Sequence, residues 1–167
     1  QQREEFRLGL LRLRNTKPFF PVDFWGDAPY VGGCIAGKHY VHINSEGWVE
    51  PCIFTHFATD NIRNTTLIEA FNSPFFREIR FRQPFSENLL IPCMWIDNPW
   101  CSREIMAVTG ARPTHEGADV MLTELQEELD EYSAEVARIL TPVWNCMCKR
   151  GGPTEGHGAG QANEGSA

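Results

Sequence analysis

Apolar residues recur at helical spacing in two long segments and at strand-like spacing in a short central one, and these set the expected elements. In residues 1–14, Phe6, Leu8, Leu10, Leu11 and Leu13 lie among four arginines, which predicts an amphipathic helix. Asn15-Thr16-Lys17-Pro18 should stop it, since proline cannot continue a helix and pushes its predecessor extended. Phe19-Phe20-Pro21-Val22-Asp23-Phe24-Trp25 then predicts a buried strand, followed by a Gly26-Asp27-Ala28-Pro29 loop. From His39 to Ile43 the chain is rich in β-formers, Asn44-Ser45-Glu46-Gly47 is a turn, and Trp48-Val49 resumes the strand, a hairpin pattern.

Three helix starts are written in capping chemistry. Thr66 with Glu69 three residues on is a capping box, and Leu67, Ile68 and Phe71 should form that helix's apolar face. Ser73-Pro74 restarts the helix, with Phe75, Phe76 and Ile79 inward. Asn98-Pro99 begins another, with Asn98 as N-cap, Cys101 in the first turn, Ile105 and Val108 on its apolar face and Gly110 at its end. Between Ala118 and Leu140, Met121, Leu122, Leu125, Leu129, Tyr132, Val136, Ile139 and Leu140 keep the 3.6-residue period opposite an acidic face. This predicts one long helix ended by Pro142. From Gly151 on, the glycine-rich tail has little to bury and should be disordered.

Composition narrows the function classes. An apolar content of 42% in 167 residues permits an ordinary core. The net charge of −7 argues against nucleic acid or an acidic lipid surface as partner. Arg77, Arg80 and Arg82 then belong on a solvated helix face. No run approaches the roughly 20 apolar residues of a membrane span, and the charged start lacks a signal peptide's apolar segment. The expected location is therefore cytoplasmic, where six cysteines are read as ligands before disulfides. The opening in mid-helix, without methionine, predicts a piece of a longer protein.

Three cysteines stand out. The hairpin should deliver Cys34 and Cys52 to one place although seventeen residues separate them, and Ile91-Pro92-Cys93-Met94 offers a third thiol. Thiolates suit zinc or an iron–sulfur cluster, against the plainer reading of ordinary buried cysteines. Cys34 to Cys52 is too wide for the paired Cys-x₂-Cys of a zinc ribbon. Cys146 and Cys148 form a Cys-x-Cys read chiefly as an exposed pair. His39, His42 and His56 lie near the thiols in sequence, with His56 a candidate for tuning the site. Asp23 and Asp27 are read as loop or capping carboxylates before substrate contacts.

The order Cys34, twelve residues, Gly47, four residues, Cys52, a gap and Cys93 resembles the auxiliary-cluster region of radical S-adenosylmethionine (SAM) enzymes, known as SPASM or, in its shorter form, twitch. Tyr40-Val41-His42-Ile43-Asn44 into Gly47-Trp48-Val49-Glu50-Pro51-Cys52 is similar to that family's hairpin. Asp60-Asn61-Ile62, Leu67 to Ser73 and Phe76 to Arg80 are similar to its following segment, with Asp60 where glycine is usual. The resemblance covers about residues 1–110. It implies an α+β fold: the last α/β unit of a partial (β/α) barrel over 1–30, a twitch-like hairpin-and-helix domain over 31–110, a helical extension over 111–150 and a tail over 151–167. It implies a [4Fe–4S] cluster on Cys34, Cys52 and Cys93. For the fourth ligand Cys101 is a candidate, beside a core role for that cysteine and an open position. The SAM-cleaving Cys-x₃-Cys-x₂-Cys is absent from the chain, so SAM and a second [4Fe–4S] cluster are expected only in a full-length enzyme. A flavodoxin- or ferredoxin-like reductant and a peptide or small-molecule substrate are the implied partners. The alternative is a zinc-binding structural or interaction module without redox chemistry.

Overall fold

The computed structural model describes residues 2–18 and 21–149. Helix α1 (Gln2–Thr16) leads through an irregular segment into the single turn α2 (Ala28–Val31). Strands β1 (His42–Ile43) and β2 (Val49–Glu50) form the hairpin, antiparallel with His42 opposite Glu50. Strand β3 (Phe57–Ala58) precedes α3 (Leu67–Phe71), α4 (Pro74–Arg82) and α5 (Pro99–Thr109). It pairs antiparallel with the distant β4 (Arg112–Pro113), which returns the chain to the hairpin side. A 3₁₀ turn (Ala118–Leu122) and the long α6 (Gln126–Lys149) complete the described fold. The architecture is α+β, with two two-stranded antiparallel sheets. No helix among the described residues is long and apolar enough to cross a membrane.

The core forms where α4 packs on α5 and both face the hairpin. Val49, Phe75, Phe76, Ile79 and Ile105 are fully buried there, with Phe57 and Trp95 edge-to-face at 5.5 Å between ring centres. The caps that start α3 and α4 form as the sequence implies. Thr66 accepts from the Glu69 amide while Glu69 accepts from the Thr66 amide, and Ser73 accepts from Phe76.

Five local expectations fail, in whole or in part, for physical reasons. Of the strand expected over Phe19–Trp25, Phe19 and Phe20 lie outside the described residues, and residues 21–26 form no strand. Their polar backbone groups are taken by side chains instead. Arg14 donates through Nε and Nη2 to the Pro21 carbonyl at 2.9 and 2.6 Å. Asp27 accepts from the Asp23 amide at 3.0 Å, and the Asp23 carboxylate accepts from the Trp25 amide. On α3, Phe71 packs against the core as expected, but Leu67 and Ile68 are exposed and Ala70 is buried, because so short a helix presents one side only. On α5, Val108 is 64% exposed and Met106 takes the inward position. The helix expected from Ala118 to Leu140 is broken at 123–125. The break lets Met121 and Leu122 pack on the core while α6 follows α5. Helix α6 then continues through Pro142. Buried Trp144 beyond it and buried Ser133 before it anchor both sides of the lost backbone bond. The tail from Gly151 lies outside the described residues.

The hairpin turn depends on Gly47. Its φ is +89°, and a Cβ there would lie 2.8 Å from the Asn61 side-chain oxygen. Asn61 is itself the turn's anchor: its side-chain amide donates to the Glu46 carbonyl, and the next amide, Ile62, donates to Gly47. Gly47→Ala combines backbone strain with this clash and should lower unfolding stability by about 2 kcal/mol in urea titration. A value near zero would show that the turn relaxes. Asp60, by contrast, needs no glycine, since no non-glycine residue described has positive φ.

Candidate iron–sulfur site

Three loops bring three thiols to one cavity. Cys34 follows the glycines that end α2. Its loop folds back so that the Gly37 amide, between the Tyr40 and Pro51 carbonyls, joins it to the residue before Cys52 at 3.1 Å. Gln83, just after α4, donates its side-chain amide to the carbonyls of Cys34 and Ala36 at 3.1 and 2.8 Å. Arg80, expected on a solvated face, instead turns inward and donates to the carbonyls of Gly37 and Phe71. Its guanidinium lies over the Phe71 ring, 4.4 Å from the ring centre, a cation–π contact. The approach of Cys34 to Cys52 thus depends on α4 as well as on the hairpin.

Cys93 sits in a loop tied at every step. The Cys93 amide donates to Asp97 Oδ2 at 3.0 Å, and its carbonyl accepts from the backbone amide and side-chain amide of Asn98. Asn98 occupies the N-cap position of α5, yet its side chain makes no cap; it reaches back to Ile91 and Cys93. Ser102 donates to the Met94 carbonyl at 2.6 Å. Helix α5 therefore serves as the post on which the third thiol is hung.

Cys34, Cys52 and Cys93 all line a cavity of about 40 Å³, walled by Phe24, Trp25, Tyr40, Phe54 and Pro92. Phe54 meets Phe24 edge-on at 5.9 Å and tilts against Trp25 at 6.3 Å. Burial in this apolar setting pushes the Cys34 thiol up to about 11 and the Cys93 thiol up to about 12, with Cys52 also raised. Opposing that, each sulfur faces backbone amides just downstream: Ala36 for Cys34, Phe54 and Thr55 for Cys52, Trp95 and Ile96 for Cys93. The Trp95 amide lies 3.4 Å from the Cys93 sulfur, and the Thr55 hydroxyl 3.2 Å from that of Cys52. Amides turned onto sulfur favour the thiolate, the form that ligates metal, and are a lever on cluster potential. Sequence spacing does not reveal them, because they depend on the turn each cysteine opens.

The donor set fits an iron–sulfur cluster: three soft ligands on separate loops, in a cavity with apolar walls, with a hydrogen-bond donor against the sulfurs of Cys93 and Cys52. Among the described residues, no group of three or more His, Cys, Asp or Glu side chains is placed to hold one metal ion.

The other sequence candidates lie elsewhere. Cys101 is buried in the α4–α5 core beside Ile105 and does not line the cavity; its thiol too is raised by burial, and its nearest charges are Arg82 and Glu104. Cys146 and Cys148 are exposed on α6, and positions two apart on a helix do not face one another. His42 and His56 turn to Glu50 rather than to the thiols, at 2.8 and 3.8 Å, and the His56 ring lies 4.5 Å from that of His115. Asp27 holds Arg14 through two 2.6 Å bonds. Burial alone would raise its carboxyl, but those bonds and the Asp23 amide keep it below the ordinary range.

Residues 34–101 match the model of one protein family, SPASM, described as an iron–sulfur cluster-binding domain. No curated protein and no solved structure matches the chain. The match begins on Cys34, ends on Cys101 and contains the hairpin, α3, α4 and the Cys93 loop. By this match and the three-thiol cavity inside it, residues 34–101 form a SPASM/twitch-like iron–sulfur cluster-binding domain.

Proposed function

We propose that this domain holds an auxiliary [4Fe–4S] cluster through Cys34, Cys52 and Cys93, and serves electron transfer or substrate binding in radical SAM chemistry. The observation that carries this is the shared cavity, which all three thiols line. A bound cluster supplies a one-electron store whose potential follows its hydrogen bonds and exposure. The chain's own residues do the rest. Phe24, Trp25 and Phe54 exclude water, the Cys93 loop fixes one ligand through Asp97 and Asn98, and Gln83 fixes another. Cys101 belongs to the core in this reading, so the cluster's remaining position is left to a ligand other than a fourth cavity cysteine. Reductive cleavage of SAM is assigned to a second cluster outside these residues, because no Cys-x₃-Cys-x₂-Cys occurs in the chain.

Anaerobic reconstitution with iron and sulfide tests the proposal. About four irons and four sulfides per chain, with visible thiolate-to-iron absorption, are expected for this cluster type. A colourless protein that takes up zinc stoichiometrically and no sulfide would overturn it.

A further inference from the structure

One carboxylate oxygen joins the Cys93 loop to an aromatic wall of the cavity. Asp97 Oδ2 accepts both the Cys93 amide at 3.0 Å and the Trp25 indole N–H at 2.8 Å. Asp97 is 1% exposed, and its own carbonyl accepts from Ser133 of α6 at 2.6 Å, so the acceptor is fixed from two sides. Trp25 sits in an irregular turn outside any strand or helix, with its ring against Phe54. Its ring lines the thiol cavity and also lines a larger apolar groove of about 370 Å³ between α1 and the C-terminal half of α6. The indole is thus a partition between the two spaces.

We propose that Trp25 is a movable partition controlling access to the thiol cavity from this groove, and that Asp97 is the positioning residue that latches it shut. With the indole bound to Asp97, Trp25 and Phe54 close over Cys93. With that bond broken, the side chain can swing toward the groove and open a path for small species such as iron, sulfide or oxidants. The shared oxygen makes the latch local to Cys93, since the group that holds the partition also holds that cysteine's amide. The inference takes from the proposed function only that Cys93 faces the cluster space.

Thiol labelling of the full chain without cluster tests it. Under anaerobic reducing conditions, iodoacetamide labelling of each cysteine is followed by mass spectrometry, with exposed Cys146 as internal reference and buried Cys101 reporting core opening. Labelling through a fast opening step tracks the open population. Trp25→Phe keeps a ring but removes the indole N–H. Losing a hydrogen bond to a charged acceptor should raise Cys93 labelling about tenfold or more relative to Cys146, with Cys101 unchanged. Unchanged Cys93 labelling, or an equal rise at Cys101, would overturn the latch. Asp97→Asn should raise Cys93 labelling as well; no rise would remove Asp97 from the role. In cluster-loaded protein, Trp25→Phe should speed iron loss to a chelator relative to the parent. Because the labelling needs no cluster, failed reconstitution would count against the proposed function and leave this inference to its own result.

Discussion

Replacing Cys34, Cys52 or Cys93 with alanine, one at a time, is expected to abolish stable cluster binding, whereas Cys101→Ala and Cys146→Ala should reconstitute to parent iron content. The three are not interchangeable with the others because of where the fold places them. Each lines the same cavity, on a loop whose backbone hydrogen bonds leave little room for a substitute donor to approach. Losing one thiolate from a three-thiol set leaves two, in a cavity whose other walls are mainly aromatic rings and offer no replacement thiol. Iron and sulfide analysis after desalting reads the result. Circular dichroism of each variant without cluster separates ligand loss from unfolding, a control that matters most for Cys34 and Cys93, which are partly buried and pack against the core. Loss of the cluster in Cys101→Ala, with the fold retained, would place that cysteine in the ligand set and would contradict the cavity lining.

Much of this site is legible in the sequence because its determinants are local. Capping boxes, a proline after an N-cap and a glycine five residues before a cysteine act within a turn or two, so Thr66, Ser73 and Gly47 announce their structures. What escapes is long-range. The strand expected at 19–25 is judged apolar by composition, yet a strand needs a partner, and Arg14 and Asp27 take the backbone groups of residues 21–23 instead. The period from 118 to 140 correctly marks an apolar stripe but cannot show where the chain must bend to lay it on the core. The grip on Cys34 by Gln83, 49 positions away, and the bond from Trp25 to Asp97, 72 away, have no sequence signature. The same holds for Arg80, whose inward turn is set by carbonyls that only the folded loop presents.

Glu50→Ala is expected to be the most damaging substitution outside the thiols and the apolar core, by roughly 3 kcal/mol. Glu50 is fully buried two residues before Cys52, and each of its oxygens is used. Oε1 accepts from the Thr114 hydroxyl and from the Asn44 side-chain amide at 3.2 Å. Oε2 meets His42 Nδ1 at 2.8 Å. These bonds join the hairpin to the segment after β4, so one carboxylate ties together both small sheets. Alanine leaves the buried Thr114 hydroxyl and the Asn44 amide without this acceptor and opens a void where the buried carboxylate sat, and unpaired buried donors cost about 1–3 kcal/mol each. His42, partly exposed, can turn to water and adds less. For a chain of this size, such a loss corresponds to a drop in melting temperature of roughly 6–12 °C. Glu46→Ala, at an exposed turn position of the same hairpin, should stay within about 0.5 kcal/mol. If the Thr114 bond carries much of the effect, Thr114→Val in the Glu50→Ala background should cost less than Thr114→Val alone, a coupling of about 1 kcal/mol or more by double-mutant cycle. Additive effects, or a Glu50→Ala loss below about 1 kcal/mol in urea denaturation, would show that the two sheets are held together by the apolar core alone.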